Sequence, residues 1–535
     1  MRKKISTLIA LLLGIVTLLF ACGCYASTGS TGQNGKQAVK EVTVALYRDG
    51  AFDKLDAASY NGPHFLYKMI YESFVEDGGS GNIIPTLATG WDISPDGRTY
   101  TFHLRKGVKF SDGTDFDADA AIFNLKRWTN NDRYATLSST YVENMEAVDD
   151  YTVKIVYKDV AYPILTELTY PRPVRFLSPS SIMDGKFSAP VGTGPWMLES
   201  YVKDTGFTLV PNPYYWGEKP KIGRLRFKVI TDAQARALAL ESGEVDIIGG
   251  DLVGKIPMES LTELKKGKEF KVFTKGTLCS HFISFNQKNT AMLDKNVRLA
   301  MNYAVDKNAI ANQLFDGNGL KANGLFQAGV PYTTKENNYG YSYDTAKAKQ
   351  LLEESGYVDS DGDGVREKNG KKLELKLLLT TDEFPEWKPL SEFLQFQYAA
   401  VGIKLDLSVL NKNGYDSAVT DTRDFDIVLM RTSSDSWVPH GSLRELFYDV
   451  AGHDYAKSWT DGRLKSMIGA ALSSMGEKER QANYDKVFSY ISGEALTIPV
   501  YYPVSSFAVN TEKVANFEMG VNNYAPVEWQ KLDVK

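Results

Sequence analysis

The sequence predicts an α/β protein of more than one lobe, and three observations carry that expectation. Past Glu41, short β-like runs alternate with stretches of amphipathic helical spacing. The 535 residues, 43% hydrophobic and 12% aromatic, can bury a large core, and their number suggests two to four lobes. Beyond Cys22 and Cys24 near the start, Cys279 is the only cysteine, so the body of the chain must hold together by burial and not by disulfides.

Arg2, Lys3 and Lys4 form a positive start, and Leu8 to Phe20 is an apolar run of signal-peptide length, too short to span a bilayer comfortably. Its end, Leu19-Phe20-Ala21-Cys22, resembles the bacterial lipobox, whose cysteine is lipid-modified and becomes N-terminal after cleavage. Residues 1–21 are therefore expected to be a lipoprotein signal peptide, with Cys22 as the lipidated residue; Cys24 is a second choice and plain secretion the alternative. Residues 22–40, rich in Ser, Thr, Gly and Gln, read as a flexible tether between lipid and domain, outside the cell membrane. Removing Arg2, Lys3 and Lys4 takes the formal charge from −5 to −8. A mildly acidic chain without basic blocks argues against nucleic acid as partner.

Val42 to Leu46 is the first strand expected, and Pro63 to Phe74 has the apolar spacing of a helix in Phe65, Met69, Ile70 and Phe74. From Trp91 to Arg105 a hairpin is expected, with Pro95-Asp96-Gly97 at its turn and Tyr100, Phe102 and Leu104 alternating with polar residues, which places His103 toward solvent. A helix from about Thr345 to Glu354 has Asp344 as N-cap and Gly356 near its end. In the loop that follows, Asp359, Asp361 and Asp363 hold the first, third and fifth places of a calcium-loop pattern. The twelfth place is Gly370, without the bidentate glutamate, so a solvated turn is expected over a calcium site.

Four motifs then appear in order: Leu104 to Ala120 with its Lys109-Phe-Ser-Asp-Gly113 centre, Gly192-Thr-Gly-Pro-Trp196, Asn212-Pro-Tyr-Tyr-Trp-Gly-Glu-Lys-Pro220, and Phe285-Asn-Gln-Lys288 followed by Val297 to Asp306. Together they resemble the peptide- and nickel-binding extracytoplasmic proteins of ABC importers, solute-binding family 5, over nearly the whole chain from about residue 42. The resemblance implies a two-lobed periplasmic-binding-protein-like fold, type II and cluster C, with a discontinuous first lobe. Lobe I would take 41–275 and 505–535, lobe II 276–504, and closure about a hinge would signal the permease. The stretch Glu167 to Pro179, with its Pro-Arg-Pro and Arg-Phe, is similar to the nickel-binding branch.

In that branch the metal travels as a complex with a small multicarboxylate chelator, such as histidine or an opine-like metallophore. Guanidinium forks suit the carboxylates, and the protein adds one imidazole. By resemblance, Arg172 and Arg133 would bind the chelator, although the aromatic that follows the latter in the family falls on Thr136. Arg431 opens the stretch Arg431 to His440, in which Trp437 takes the place of a pocket tyrosine and Ser433 that of a pocket tryptophan. His453 matches the metal ligand after a two-residue insertion, His64 is a second candidate ligand, and His440 reads as a bystander. Tyr524 aligns loosely with a further contact. His281 and Cys279 are two apart, a spacing open to ligation in principle, but they lie on what reads as a core strand face.

Asp435 supports a rival. Dipeptide-binding relatives place an aspartate four residues before a loop proline to pair with the ligand's ammonium, and Asp435 stands four before Pro439. A dipeptide or oligopeptide is therefore the alternative ligand. No His-Glu-x-x-His, Gly-x-Ser-x-Gly or Walker A pattern is present, so an enzyme is a remote reading. The expectation is a monomeric, lipid-anchored receptor that delivers a nickel chelate to an ABC permease and has no resident cofactor.

Overall fold

A computed structural model describes residues 39–59, 61–79, 81–129, 138, 141–432, 439–450 and 452–535. Cys22, Cys24, Arg133, Asp435 and Trp437 lie outside the described residues. The expected first strand is present as Glu41–Leu46, buried from Val42 onward, and sits between Arg224–Val229 and Ile247–Gly249, parallel to both. Such a strand, covered on both faces, reads as a continuous apolar run.

The strand Thr497–Asn510 joins two sheet regions. Its last residues pair antiparallel with Ile247–Gly249, while its first pair antiparallel with His281–Phe285, which continues through Ile427–Arg431 and Glu374–Thr380 to Lys404–Leu410. Phe270–Gly276 and Gly319–Lys321 pair with it as well. Val42, Phe65, Phe227 and Trp529 belong to one buried cluster; Phe282, Trp387, Leu429 and Tyr484 belong to another, which extends to Phe102, Trp128 and Phe176. No helix among the described residues is long and apolar enough to cross a membrane.

The expected hairpin forms from Ala88–Ile93 and Thr99–Leu104 within a four-stranded antiparallel sheet. His103 points outward and meets Asp92 at 2.8 Å. The helix Thr345–Glu354 starts at Asp344, whose Oδ1 accepts the Lys347 N–H at 2.8 Å.

One helix is shorter than its apolar spacing suggests. It spans His64–Ile70, and Tyr71 is already extended. Beyond that point the backbone pairs elsewhere: Gly194 N–H donates to Ile70 O at 2.9 Å, and Phe176 N–H to Glu72 O at 3.0 Å. Gly192 and Gly194 make this approach possible, because a Cβ would stand 2.1 Å from Ile70 O at the first and 2.6 Å from Met69 O at the second. The Gly-Thr-Gly-Pro-Trp motif thus seats the helix that begins with His64.

Candidate functional site

His64 opens its helix directly after Pro63, with its imidazole half-buried. Arg172 reaches it from the Pro-Arg-Pro segment: Nη2 donates to His64 Nε2 at 3.0 Å, and Nη1 donates to the carbonyls of Asn61 and Gly62, each at 3.2 Å. Arg48 Nη2 donates to the same Gly62 carbonyl at 2.9 Å. Gly62 presents that oxygen from a left-handed turn, φ +74°, with no room for a Cβ, which would lie 2.8 Å from Gly50 O. The Arg172 guanidinium also lies over the Tyr67 ring, 5.6 Å from its centroid.

Tyr524 covers the imidazole. Its ring stacks on His64 at 4.8 Å between centroids, with planes 22° apart. It is placed by a turn in which Asn522 Oδ1 accepts the N–H groups of Tyr524 and Ala525, at 2.9 and 3.0 Å.

Arg431 adds a guanidinium whose Nη1 lies 3.9 Å from Asp251 and whose Nη2 lies 3.7 Å from Glu383. It also approaches Cys279 Sγ at 3.9 Å. Burial alone would depress the Arg431 pKa, but Glu383, Cys279 and Asp251 outweigh it and the net shift is upward. Asp251 further pairs with Lys255 at 3.3 Å, and Lys255 with Glu386. These last three residues line a cavity of about 400 Å³ together with Phe315, Met258 and Tyr501.

Burial holds the His64 pKa well below its ordinary value, and the charges of Arg172, Arg48 and Arg431 press in the same direction. The ring is therefore neutral at pH 7. Because Nε2 accepts from Arg172, the ring proton is assigned to Nδ1. The site thus offers one basic nitrogen beside three guanidinium groups, a combination suited to a metal already wrapped in carboxylates.

The structure gathers His64, Arg172, Arg431 and Tyr524 from the expected set. His453 stands with other partners: its Nε2 is 3.9 Å from Asp421, and its ring is 4.7 Å from that of Tyr455. His440 is buried, with Nε2 2.9 Å from Glu167 Oε1. His281 is buried too, its Nδ1 accepting from Trp387 Nε1 at 2.7 Å with Tyr501 Oη 2.8 Å away. Asp359, Asp361 and Asp363 each offer an oxygen within 4.8 Å of the others and are exposed. Lys372 pairs with both Asp361 and Asp363, and backbone N–H groups of the loop donate to all three carboxylates.

Sequence reasoning missed Arg48, Asp251 and Glu383. Each lies two or three residues past the carboxyl end of a strand with a parallel neighbour, Glu41–Leu46, Ile247–Gly249 and Glu374–Thr380 respectively, and Arg431 ends a fourth. Ligands of open α/β sheets bind outside those ends, and that rule was the available signal.

A sequence profile of the bacterial extracellular solute-binding proteins, family 5 Middle, matches residues 82–454. The nickel-binding periplasmic protein of Escherichia coli K12 is 32% identical over 476 residues, covering 86% of this chain and 88% of that protein. The dipeptide-binding protein of the same strain is 27% identical over 459 residues, covering 78% and 80%. The crystal structure of NikA from Brucella suis in complex with Fe(III)-EDTA matches with a TM-score of 0.85 at 29% identity, over 92% of this chain and 100% of that one. The match over most of the chain, in sequence and in backbone, makes this protein a member of family 5 of the bacterial extracellular solute-binding proteins, with their two-lobed α/β fold.

Proposed function

We propose that this protein is the receptor of an ABC importer and captures nickel as a chelate with a small multicarboxylate molecule. The observation that carries the reading is the 3.0 Å hydrogen bond from Arg172 to His64 Nε2. It places a carboxylate-binding fork and a metal-capable lone pair side by side. When a chelator carboxylate draws the Arg172 fork, Nε2 is released and completes the metal's coordination, while Arg48 and Arg431 offset the remaining negative charge. Tyr524 closes over the imidazole. Two relatives support the reading: one is named for nickel, and another was crystallised around a metal bound by a multicarboxylate chelator.

In this reading, 41–275 with 505–535 form lobe I and 276–504 form lobe II. The passage of Thr497–Asn510 between both sheet regions supports that division. Arg133, Trp437 and Asp435 would be further ligand contacts, and a lipid on Cys22 would hold the monomer at the membrane beside its permease. The Asp359 loop is a solvated turn, because Lys372 already neutralises two of its carboxylates.

A peptide is the second reading. Asp251, with its side chain 4% exposed, and Glu383 stand in the site as carboxylates able to meet an ammonium group. Calorimetry with Ni²⁺ alone, Ni²⁺ with histidine, Ni²⁺ with an opine-type metallophore, and a dipeptide panel separates the two. Chelate binding that His64→Ala weakens at least tenfold is expected. Tight dipeptide binding without any response to a chelate would overturn the nickel reading, and loss on His453→Ala alone would move the ligand to that residue.

A further inference from the structure

Lys307 follows the Asn302-Tyr-Ala-Val-Asp306 stretch and opens the short helix Lys307–Ala309. Its side chain is buried, with the residue 7% exposed, and its ammonium has no hydrogen-bond partner among the described residues. Asp306, before it in the chain, and Asp344, next to the cavity-lining Tyr343, are helix caps. Asp306 Oδ1 accepts the N–H groups of Asn308 and Ala309, each at 3.0 Å, and Asp344 Oδ1 accepts that of Lys347 at 2.8 Å.

The ammonium occupies space that a side chain on Gly340 would fill, since a Cβ there would lie 2.8 Å from Lys307 Nζ and 3.0 Å from Asn323 O. Around it is a cavity of about 120 Å³, whose lining includes Lys307, Lys321, Asn308, Asn323 and Ser342 and contains no aspartate or glutamate. That volume falls well below the roughly 300–1,000 Å³ of a drug-sized ligand site. It suits a small ion.

An ammonium buried without a counter-charge is costly, and an anion placed against it removes the cost. We propose that this cavity is a second binding site, remote in kind from the chelate site, which takes a small oxyanion of the size of inorganic phosphate between Lys307 and Lys321. The amide of Asn308 and the hydroxyl of Ser342 are available as further donors in the lining. Lys321 is exposed and stands at the solvent side of the pair. Consistent with a missing counter-charge, burial pushes the Lys307 pKa down to about 7, and Lys321 pushes it the same way.

The test is calorimetry on the full chain, without any chelate, using inorganic phosphate and acetate at matched ionic strength against a chloride control. Saturable, one-to-one phosphate binding is expected, at least tenfold weaker in Lys307→Met and several-fold weaker in the exposed variant Lys321→Gln. Gly340→Ala, which intrudes on the ammonium's space, is expected to weaken it as well. Saturation by acetate in place of phosphate retains the oxyanion site and assigns it to carboxylates. Absence of saturable binding, or equal binding by wild type, Lys307→Met and Lys321→Gln, would show that water alone fills the cavity and overturn the proposal. Chelate capture at His64 should be unchanged in all three variants, so failure of this inference is distinguishable from failure of the nickel reading.

Discussion

His440 Nε2 lies 2.9 Å from Glu167 Oε1, and the two side chains are only 1% and 2% exposed although the residues are 273 positions apart. Glu167 Oε2 also accepts the Ser138 N–H at 2.7 Å, and close by the hydroxyls of Tyr162 and Tyr484 meet at 2.7 Å. Glu167 and Tyr162 belong to the part proposed as lobe I, His440 and Tyr484 to that proposed as lobe II. Under the proposed division, the contact would act as a clasp between the two lobes.

Removing one partner of a buried hydrogen bond leaves the other unsatisfied, at a cost of about 1–3 kcal/mol. Glu167→Ala is expected to lower the thermal midpoint and to speed chelate release in stopped-flow measurements. Glu167→Gln, whose amide oxygen still accepts from the imidazole, should retain most of the wild-type behaviour. Equal release rates for wild type and Glu167→Ala would remove the clasp from the closure step.

Glu72 gives the molecule a pH dependence of defined sign. The residue is 7% exposed, and burial raises its pKa from 4.5 to about 7 even though Oε2 accepts from Trp216 Nε1 at 2.9 Å. Between those two values the native state holds a proton that the unfolded chain has released. The stabilisation is therefore full below about 4.5 and is lost as pH rises through 7. Glu72→Gln keeps the acceptor for Trp216 and removes the titration. Its stability relative to wild type should rise by on the order of 3 kcal/mol from pH 4.5 to pH 8, measured by denaturant unfolding across pH. A difference that stays flat with pH would exclude Glu72 as the source.

What could be read in advance follows the range over which each signal acts. The strand at Val42 to Leu46, the hairpin around Gly97 and the Asp344 cap are local, and all are present. Arg172 was legible because it sits inside a short motif. Arg48 was not: an arginine just after a strand is ordinary until the Gly62 turn brings a carbonyl to it. The helix beginning at His64 was expected to run to Phe74, and it stops at Ile70 because backbone groups from residues 176 and 194 take over its hydrogen bonding. Periodicity reports which face is apolar; it contains nothing about a competing partner more than a hundred residues away.

That competition makes Gly194 a control point for the site without touching it. Its N–H fixes the end of the His64 helix at Ile70, and a Cβ there would stand 2.6 Å from Met69 O and 2.7 Å from Ile70 O. Backbone atoms, unlike the tip of a flexible side chain, cannot yield cheaply, so Gly194→Ala is expected to destabilise the fold by roughly 1–3 kcal/mol. The displaced helix would move the imidazole relative to Arg172 and Tyr524, each of which is anchored elsewhere. A displacement of about 1 Å is enough to spoil a positioned constellation. Chelate affinity should therefore fall in Gly194→Ala at temperatures where circular dichroism still reports a fully folded chain. Wild-type affinity together with a lowered thermal midpoint would show that the motif serves stability alone, and that the position of His64 is set by its contacts with Arg172 and Tyr524.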